Sequence, residues 1–491
     1  MKATSVIAFA SAASAANVSI RAKRHFETES ASEVGLLVKF ALDIPALEQG
    51  ALLAAEPREF VDAFLKEASK KNLAALANLV SIADAVALPI GAAVLFPSAT
   101  RATLDALEAS TVVEYIDLNA ADFTTPEVLK GSVDAESTAK NEWGVEAIGA
   151  PEIWKYSNGK GAIVGSIDSG ALHTHEAIKH NWRSELGWFD PYNRTTLPWD
   201  TSGHGSHTIG TMVGANGIGV APGAQWIACL GLFGGSGTTD RLLECAQYML
   251  CPTKPDGTGA DCKKGPHVVN NSWGSATYTP WLETAVAAWK AAGIIPVFSN
   301  GNRGPACGTV GSPGGYKTVI GVGAIGSFTN EKDKIAYFSS KGPQTGNGEA
   351  YLKPDISAPG FYTLSVGIAN NTAYRQLAGT SMAAPHVAGV VAIIKSVDPT
   401  ASYDAVYKYL TATTDQKPEG TQHDRARNEK ELNTTEPETW YLTNNRTLPG
   451  APNCGGVKDT AWPNNRFGHG RVNIGTILRD GKLNDNRRPT C

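Results

Sequence analysis

The spacing of apolar positions changes twice along the chain, and those changes divide it. Between about 33 and 118 short strand and helix patterns are mixed. Residues 34–40 read as a strand, and residues 58–71 carry Phe60, Val61, Phe64 and Leu65 at helical spacing with charges opposite. Residues 94–96 form a second strand, 99–109 a second helix and 112–116 a closing strand. This predicts a small α+β unit, an open-faced sandwich with no catalytic cluster of its own. From 119 to about 140 the composition turns to Ala, Asp, Thr, Ser and Gly, the signature of an exposed linker that a protease could cut.

Beyond Trp143 continuous apolar runs alternate with helical stretches. The runs are 162–167, 226–230, 267–271 and 294–298, and the helices fall around 205–213, 239–250 and 280–292. Runs apolar on both faces belong to strands buried on both sides. Their alternation with helices predicts an α/β three-layer sandwich with a mostly parallel central sheet, whose function collects at the carboxyl ends of the strands. Residues 415–450 are polar and aperiodic and read as a surface insertion. The expected domains are 1–16 leader, 17–118 α+β unit, 119–140 linker, 141–480 α/β domain and 481–491 tail.

Composition narrows the function classes. With 42% hydrophobic and 18% charged residues the chain is globular, and a net charge of −4 gives no reason to expect nucleic acid or an anionic membrane as partner. No stretch after the first ten residues approaches the roughly 20 uncharged apolar residues that span a bilayer. The N-terminus has one positive charge at Lys2, a short apolar run and an Ala-x-Ala pattern, as a secretory signal does. An extracellular protein with seven cysteines should pair most of them and leave one over. A local bridge is expected between Cys251 and Cys262, and Cys229, in an apolar strand, is the expected buried thiol.

Three stretches carry chemistry. Asp168 closes an apolar strand at Ile167-Asp168-Ser169-Gly170, and alone it could be a turn or helix cap. His204 lies in Ser202-Gly203-His204-Gly205-Ser206-His207, where a helix begins, and alone it could be a structural histidine. Ser381 lies in Gly379-Thr380-Ser381-Met382-Ala383-Ala384-Pro385-His386, small residues leading into a buried helix. A serine hydroxyl is a poor nucleophile without a base to take its proton. A fourth stretch, Ser299-Asn300-Gly301-Asn302-Arg303, follows a strand and offers an amide that could donate to an oxyanion. Asp, then His, then Ser is the chain order of subtilisin, unlike the chymotrypsin or α/β-hydrolase orders.

On these residues the chain resembles the subtilisin-like serine proteases (subtilases) from about 143 to 477. Further matching blocks are Ala336-Tyr337-Phe338-Ser339-Ser340-Lys341-Gly342-Pro343 and Pro354-Asp355-Ile356-Ser357-Ala358-Pro359-Gly360. Within that family it is most similar to the bacillopeptidase F type, through residues 219–228 and 268–274. The resemblance implies a secreted serine endopeptidase made as a self-processing zymogen, with the N-terminal unit as propeptide and inhibitor. It implies Ser381 as nucleophile, His204 as base, Asp168 as its orienter and Asn302 as oxyanion donor. Protein and peptide substrates would pair with the edges Gly235-Ser236-Gly237 and Ser272-Trp273-Gly274, with Gly301 and Gly311 keeping the primary pocket open. No acidic cluster lines these segments, so a broad preference for an apolar or aromatic residue before the cut is expected, from a monomer.

The departures are few. Thr208 and Ile209 stand where the family has Val and Ala, and the loop 213–219 is too short for the tight calcium site of bacterial subtilisins. No cofactor is required on this reading; a structural calcium elsewhere is left open and no metal ligand is assigned. His173-Thr174-His175-Glu176 has metal-binding residue types but lies in a loop after the Asp168 strand. A catalytically dead subtilase acting as a binding protein is opposed by the intact Asp168, His204, Ser381 and Asn302 set. An esterase would need a Gly-x-Ser-x-Gly elbow, and Met382-Ala383 follow Ser381 instead.

Overall fold

The computed structural model describes residues 16–29, 33–125, 129–135, 140–327, 333–346, 348–416, 454–456, 461–479 and 482–483. The expected leader, apart from Ala16, and the expected insertion, apart from residues 415–416, lie outside them. So does Cys491.

The chain forms two compact units. The larger comprises Ile44–Asp62 and Ala121–Cys491. Its centre is a seven-stranded sheet in the order Ile356–Pro359, Ile320–Ile325, Ile295–Ser299, Val268–Asn271, Ile163–Asp168, Gln225–Leu230, Trp188–Phe189. Every pair in it is parallel. Asn271 pairs with Ile167, and Leu230 with Asp168, so Asp168 ends an interior strand between two neighbours that end beside it. The four apolar runs fall within one or two residues of observed strands, because burial on both faces leaves no polar side to blur them.

Helices Thr380–Val397 and His204–Val213 lie against each other and the sheet, and Thr239–Leu250 with Glu283–Ala291 form a second helical pair on it. These are the outer layers of the expected sandwich. Thr380–Val397 is long and apolar enough to cross a bilayer by composition, but 89% of it is buried inside the fold. Its apolarity serves the core: residues 380–395 are buried throughout, as a helix enclosed on all sides requires.

The cysteine expectations divide. Cys251 and Cys262 are bonded, as expected. Cys229 is not a thiol; it is bonded to Cys245. The strand Gln225–Leu230 leads into the helix Thr239–Leu250, which returns over it and brings the two Cα atoms to 5.6 Å. That proximity belongs to the crossover and is invisible in local spacing. Cys307 and Cys454, 147 residues apart, form the third bond.

The smaller unit comprises Met1–Asp43 and Ala63–Ala120. Its sheet has the order Asn17–Val18, Val113–Leu118, Val34–Phe40, Ala93–Ala99, Val86–Leu88. Helices Ile20–Thr28 and Arg101–Glu108 accompany it, and Leu36, Val38, Phe40, Leu104, Leu107 and Ile116 share one buried cluster. Strands and helices are mixed in it as expected, with the strands Asn17–Val18 and Val86–Leu88 and the helix Ile20–Thr28 in addition. The expected bounds 17–118 are interrupted: Ile44–Asp62, with the helix Ile44–Leu53 and the first residues of the helix Pro57–Leu76, groups with the larger unit. Arg21 binds the Asp117 carboxylate through two nitrogens at 2.5 and 2.6 Å, fixing the first helix to the closing strand.

The segment expected as an exposed linker is partly built into the larger unit. Phe123–Thr124 pairs antiparallel with Ser236–Gly237, and Leu129–Ala135 pairs with Tyr374–Ala378. A short strand whose partners lie far away in sequence has no periodicity to reveal it. The expected tail boundary at 481 also shifts, since Lys482–Leu483 pairs with Leu478–Arg479.

Candidate active site

Asp168 stands at the carboxyl end of the strand Ile163–Asp168, inside the sheet, and is 1% exposed. Its Oδ1 lies 2.8 Å from His204 Nδ1 and accepts the Ser169 N–H at 2.7 Å. With the carboxylate ionised, Nδ1 of the neutral imidazole carries the proton and Nε2 is left as the acceptor. That Nε2 is buried and has no hydrogen-bond partner among the described residues. A buried acceptor left unpaired costs free energy, so this atom is poised to receive a proton from something brought to it.

Burial is the largest influence on His204 and presses its imidazole toward the neutral form. The charge of Asp168, its hydrogen bond and the charge of Asp200 together outweigh burial, and the pKa ends above the ordinary 6.5. His207, one turn along the same helix, behaves oppositely: burial, then the charge of His204, lowers it to about 3. Its Nε2 lies 3.1 Å from both Thr363 O and Arg375 O, the bonding of a structural histidine.

The histidine is held by a carboxylate that the sequence reading did not single out. Asp200 Oδ1 accepts the Ser202 and Gly203 N–H groups and the Ser169 hydroxyl at 2.8–3.0 Å. Its Oδ2 accepts the Ser206 N–H at 2.8 Å and the Ser206 hydroxyl at 2.5 Å. The Ser169 hydroxyl in turn accepts the Gly205 N–H at 2.9 Å. Asp200 therefore satisfies donors around the start of the His204 helix and ties it to the residue after Asp168. The available signal was Asp200-Thr201-Ser202-Gly203 before a helix start, where an aspartate side chain can bond the backbone N–H two residues on. Gly205 is required by space: a Cβ there would lie 2.2 Å from Gly170 O.

Ser381 is in the first turn of the helix Thr380–Val397 and fully buried. Its hydroxyl donates to Ser272 O at 3.2 Å, while its own carbonyl accepts the Ser272 hydroxyl at 2.8 Å. Pro385 explains the second bond. Proline has no N–H, so the carbonyl four residues earlier, that of Ser381, loses its helical donor and takes a side-chain one. The structure thus brings Ser381 to Ser272 and leaves the His204 Nε2 bond unmade. Such bonds are often long or unaligned before substrate is bound.

Asn302 is oriented by Thr380, whose N–H and hydroxyl donate to Asn302 Oδ1 at 2.8 and 2.7 Å. This commits the oxygen end of the amide to the helix that carries Ser381. The Thr380 hydroxyl also accepts the Gly301 N–H at 3.3 Å. Thr380 is the second positioning residue without an expected role, although it sits inside the serine stretch.

The two expected substrate edges face one strand of the chain itself. Thr124 exchanges both backbone bonds with Gly274, at 3.1 and 3.0 Å, and Thr125 N–H donates to Gly235 O at 3.0 Å. Ser236 and Gly237 pair with Thr124 and Phe123. The Phe123 side chain is fully buried and meets the Trp273 ring edge-on at 5.6 Å. Trp273 is fixed by a 2.7 Å bond from its Nε1 to Ile167 O. Gly301 and Gly311 line a cavity of about 200 Å³ beside Asn302. A Cβ on Gly311 would lie 2.0 Å from Ser275 O, so the glycine is needed for close packing as well as openness.

The His173–Glu176 loop is committed elsewhere. His173 Nδ1 lies 2.9 Å from Pro198 O, His175 Nε2 lies 2.8 Å from Ala373 O, and Glu176 accepts the Tyr374 hydroxyl at 2.8 Å. Asp62, Cys251 and Cys262 come together elsewhere, but the two sulfurs are bonded to each other and cannot ligate as thiolates.

The family model of the subtilase family matches residues 159–470, and the chain belongs to that family. It is 36% identical over 296 residues to bacillopeptidase F of Bacillus subtilis, covering 55% of this chain and 20% of that protein. It is 30% identical over 325 residues to serine protease AprX of the same organism, covering 59% of this chain and 70% of the relative. It is 31% identical over 279 residues to subtilisin DY of Bacillus licheniformis, covering 55% of this chain and 90% of the relative.

Proposed function

We propose that the chain is a secreted serine endopeptidase in which Ser381 attacks the scissile carbonyl. His204 Nε2 takes the Ser381 proton and returns it to the leaving amine. Asp168 holds the tautomer that leaves Nε2 bare and stabilises the imidazolium once formed. Asn302 and the Ser381 N–H donate to the oxyanion, where fixed dipoles act without reorganising. The observation that carries this reading is the buried His204 Nε2, unpartnered among the described residues, on a ring fixed by Asp168, within a fold of the subtilase family. Secretion rests on the N-terminal leader pattern and agrees with the three disulfides.

The same reading makes the chain a zymogen whose N-terminal unit is a self-removed propeptide and inhibitor. Its support is the strand Phe123–Thr124, which adds to both edges as an extended substrate would and leaves them no room for a second peptide. The antiparallel register sets Thr124 on Gly274, and Ser272, the neighbour of Ser381, stands two positions from Gly274 on that edge. The mature N-terminus is therefore expected at Glu127 or Val128, inside the window 119–141 that composition suggests. Ser381→Ala should be secreted uncut. N-terminal sequencing of both secreted forms checks this, and equal processing of the mutant would exclude self-cleavage.

A further inference from the structure

The cavity beside Asn302 is walled largely by backbone and small side chains, and one long charged side chain reaches it: Arg303. The loop holds this residue at two points. Its N–H donates to Ser340 Oγ at 3.0 Å, and Nη2 donates to Thr309 O at 2.8 Å. A Cβ built on Gly311 would lie 3.6 Å from the same Nη2, which places the guanidinium at the Gly311 side of the cavity. By exposed area the side chain reaches solvent, yet enough protein surrounds it that desolvation draws its pKa below the ordinary guanidinium value.

What the site lacks is an anion. Among the described residues no carboxylate pairs with Arg303, and the cavity lining contains no Asp or Glu. A guanidinium carries five N–H donors in a planar fork that matches a carboxylate, and only one is spent here on a protein acceptor. The walls cannot supply the partner, whereas a substrate side chain entering the cavity can.

We propose that Arg303 makes this pocket select an acidic residue immediately before the cut, by pairing its guanidinium with the substrate carboxylate. The proposal rests on the protease reading and replaces the expected apolar or aromatic preference with glutamate over its neutral isostere. A charge-assisted bidentate pair forms in a site shaped by glycine and serine, which add no competing charge. Lysine before the cut meets like charge and is rejected. Arg303 is a specificity residue and takes no part in bond making.

The test compares kcat/KM of the mature enzyme on peptides that differ only in having Glu, Gln or Phe before the cut. The Glu peptide should be cut at least about 10-fold faster than the Gln peptide. In Arg303→Gln that ratio, which cancels any general loss of activity, should fall to about one, and in Arg303→Lys to an intermediate value. Equal Glu and Gln rates in the wild type, or a ratio unchanged in Arg303→Gln, would overturn the proposal. Should the variants not fold, the wild-type ratio decides alone. Cleavage of the Phe peptide with no Glu preference removes this inference and leaves the protease reading standing. No cleavage of any of the three, with no labelling of Ser381 by a fluorophosphonate, removes both.

Discussion

Replacing Ser381 or His204 by alanine is expected to lower kcat by on the order of 10⁶ while leaving the fold intact, the loss known for nucleophile and base in subtilisin itself. The size follows from interdependence. Ser381 is inert without a base, and the bare His204 Nε2 has no other described group to deprotonate. Ser381 supports little structure: Ser381→Ala gives up a 3.2 Å bond to Ser272 O but keeps its own carbonyl bonded to Ser272. His204→Ala takes a partner from the buried Asp168 carboxylate and should cost stability, so its thermal unfolding is measured beside its rate. The pH profile gives an independent check. His204 must be neutral to act as base, and its pKa lies above 6.5, so kcat/KM should rise with pH through a midpoint above that value. Purified, processed wild type assayed from pH 5 to 9 tests the profile. Because uncut precursor is expected for Ser381→Ala, variants need processing by added wild type before their rates are compared.

The second large effect is at Asn302. Asn302→Ala should lower kcat by about 10²–10³ with little change in KM, as loss of the oxyanion asparagine does in subtilisin. The split is diagnostic because an oxyanion donor acts only once charge has developed. Asn302 also accepts two bonds from Thr380, so some stability must be lost when it is removed. Asn302→Asp retains the acceptor for Thr380 and lacks the donor. It should therefore match Asn302→Ala in kcat while recovering thermal stability. A rise in KM at unchanged kcat would place Asn302 in ground-state binding instead.

How much of this was readable in the sequence depended on how local each cause is. Asp168, His204 and Ser381 each sit at the end or start of an element, where the sequence changes from apolar run to small residues. Their order along the chain then suggested the site. The central strands were legible because burial on both faces makes them continuous apolar runs. Residues that act through distant partners were not. Asp200 binds backbone N–H groups and the hydroxyls of Ser169 and Ser206, and in sequence it is one carboxylate in a polar loop. Phe123 is a single aromatic in a stretch whose composition says linker, and only the cleft edges make it a strand. Cys229 reads as a strand residue because it is one, and its partner arrives from the next helix. The reciprocal bonding of Ser272 and Ser381 combines both kinds of cause. The missing Pro385 N–H is visible in the sequence, but the hydroxyl that replaces it comes from 109 residues away.

The most direct measurement is labelling by a fluorophosphonate, which forms a covalent bond only with a serine activated by a base in place. Processed wild type should be labelled at Ser381, and labelling should disappear in Ser381→Ala and His204→Ala with their folds retained. Processed, folded wild type that takes up no label, or that is labelled equally when Ser381 is alanine, would contradict the account.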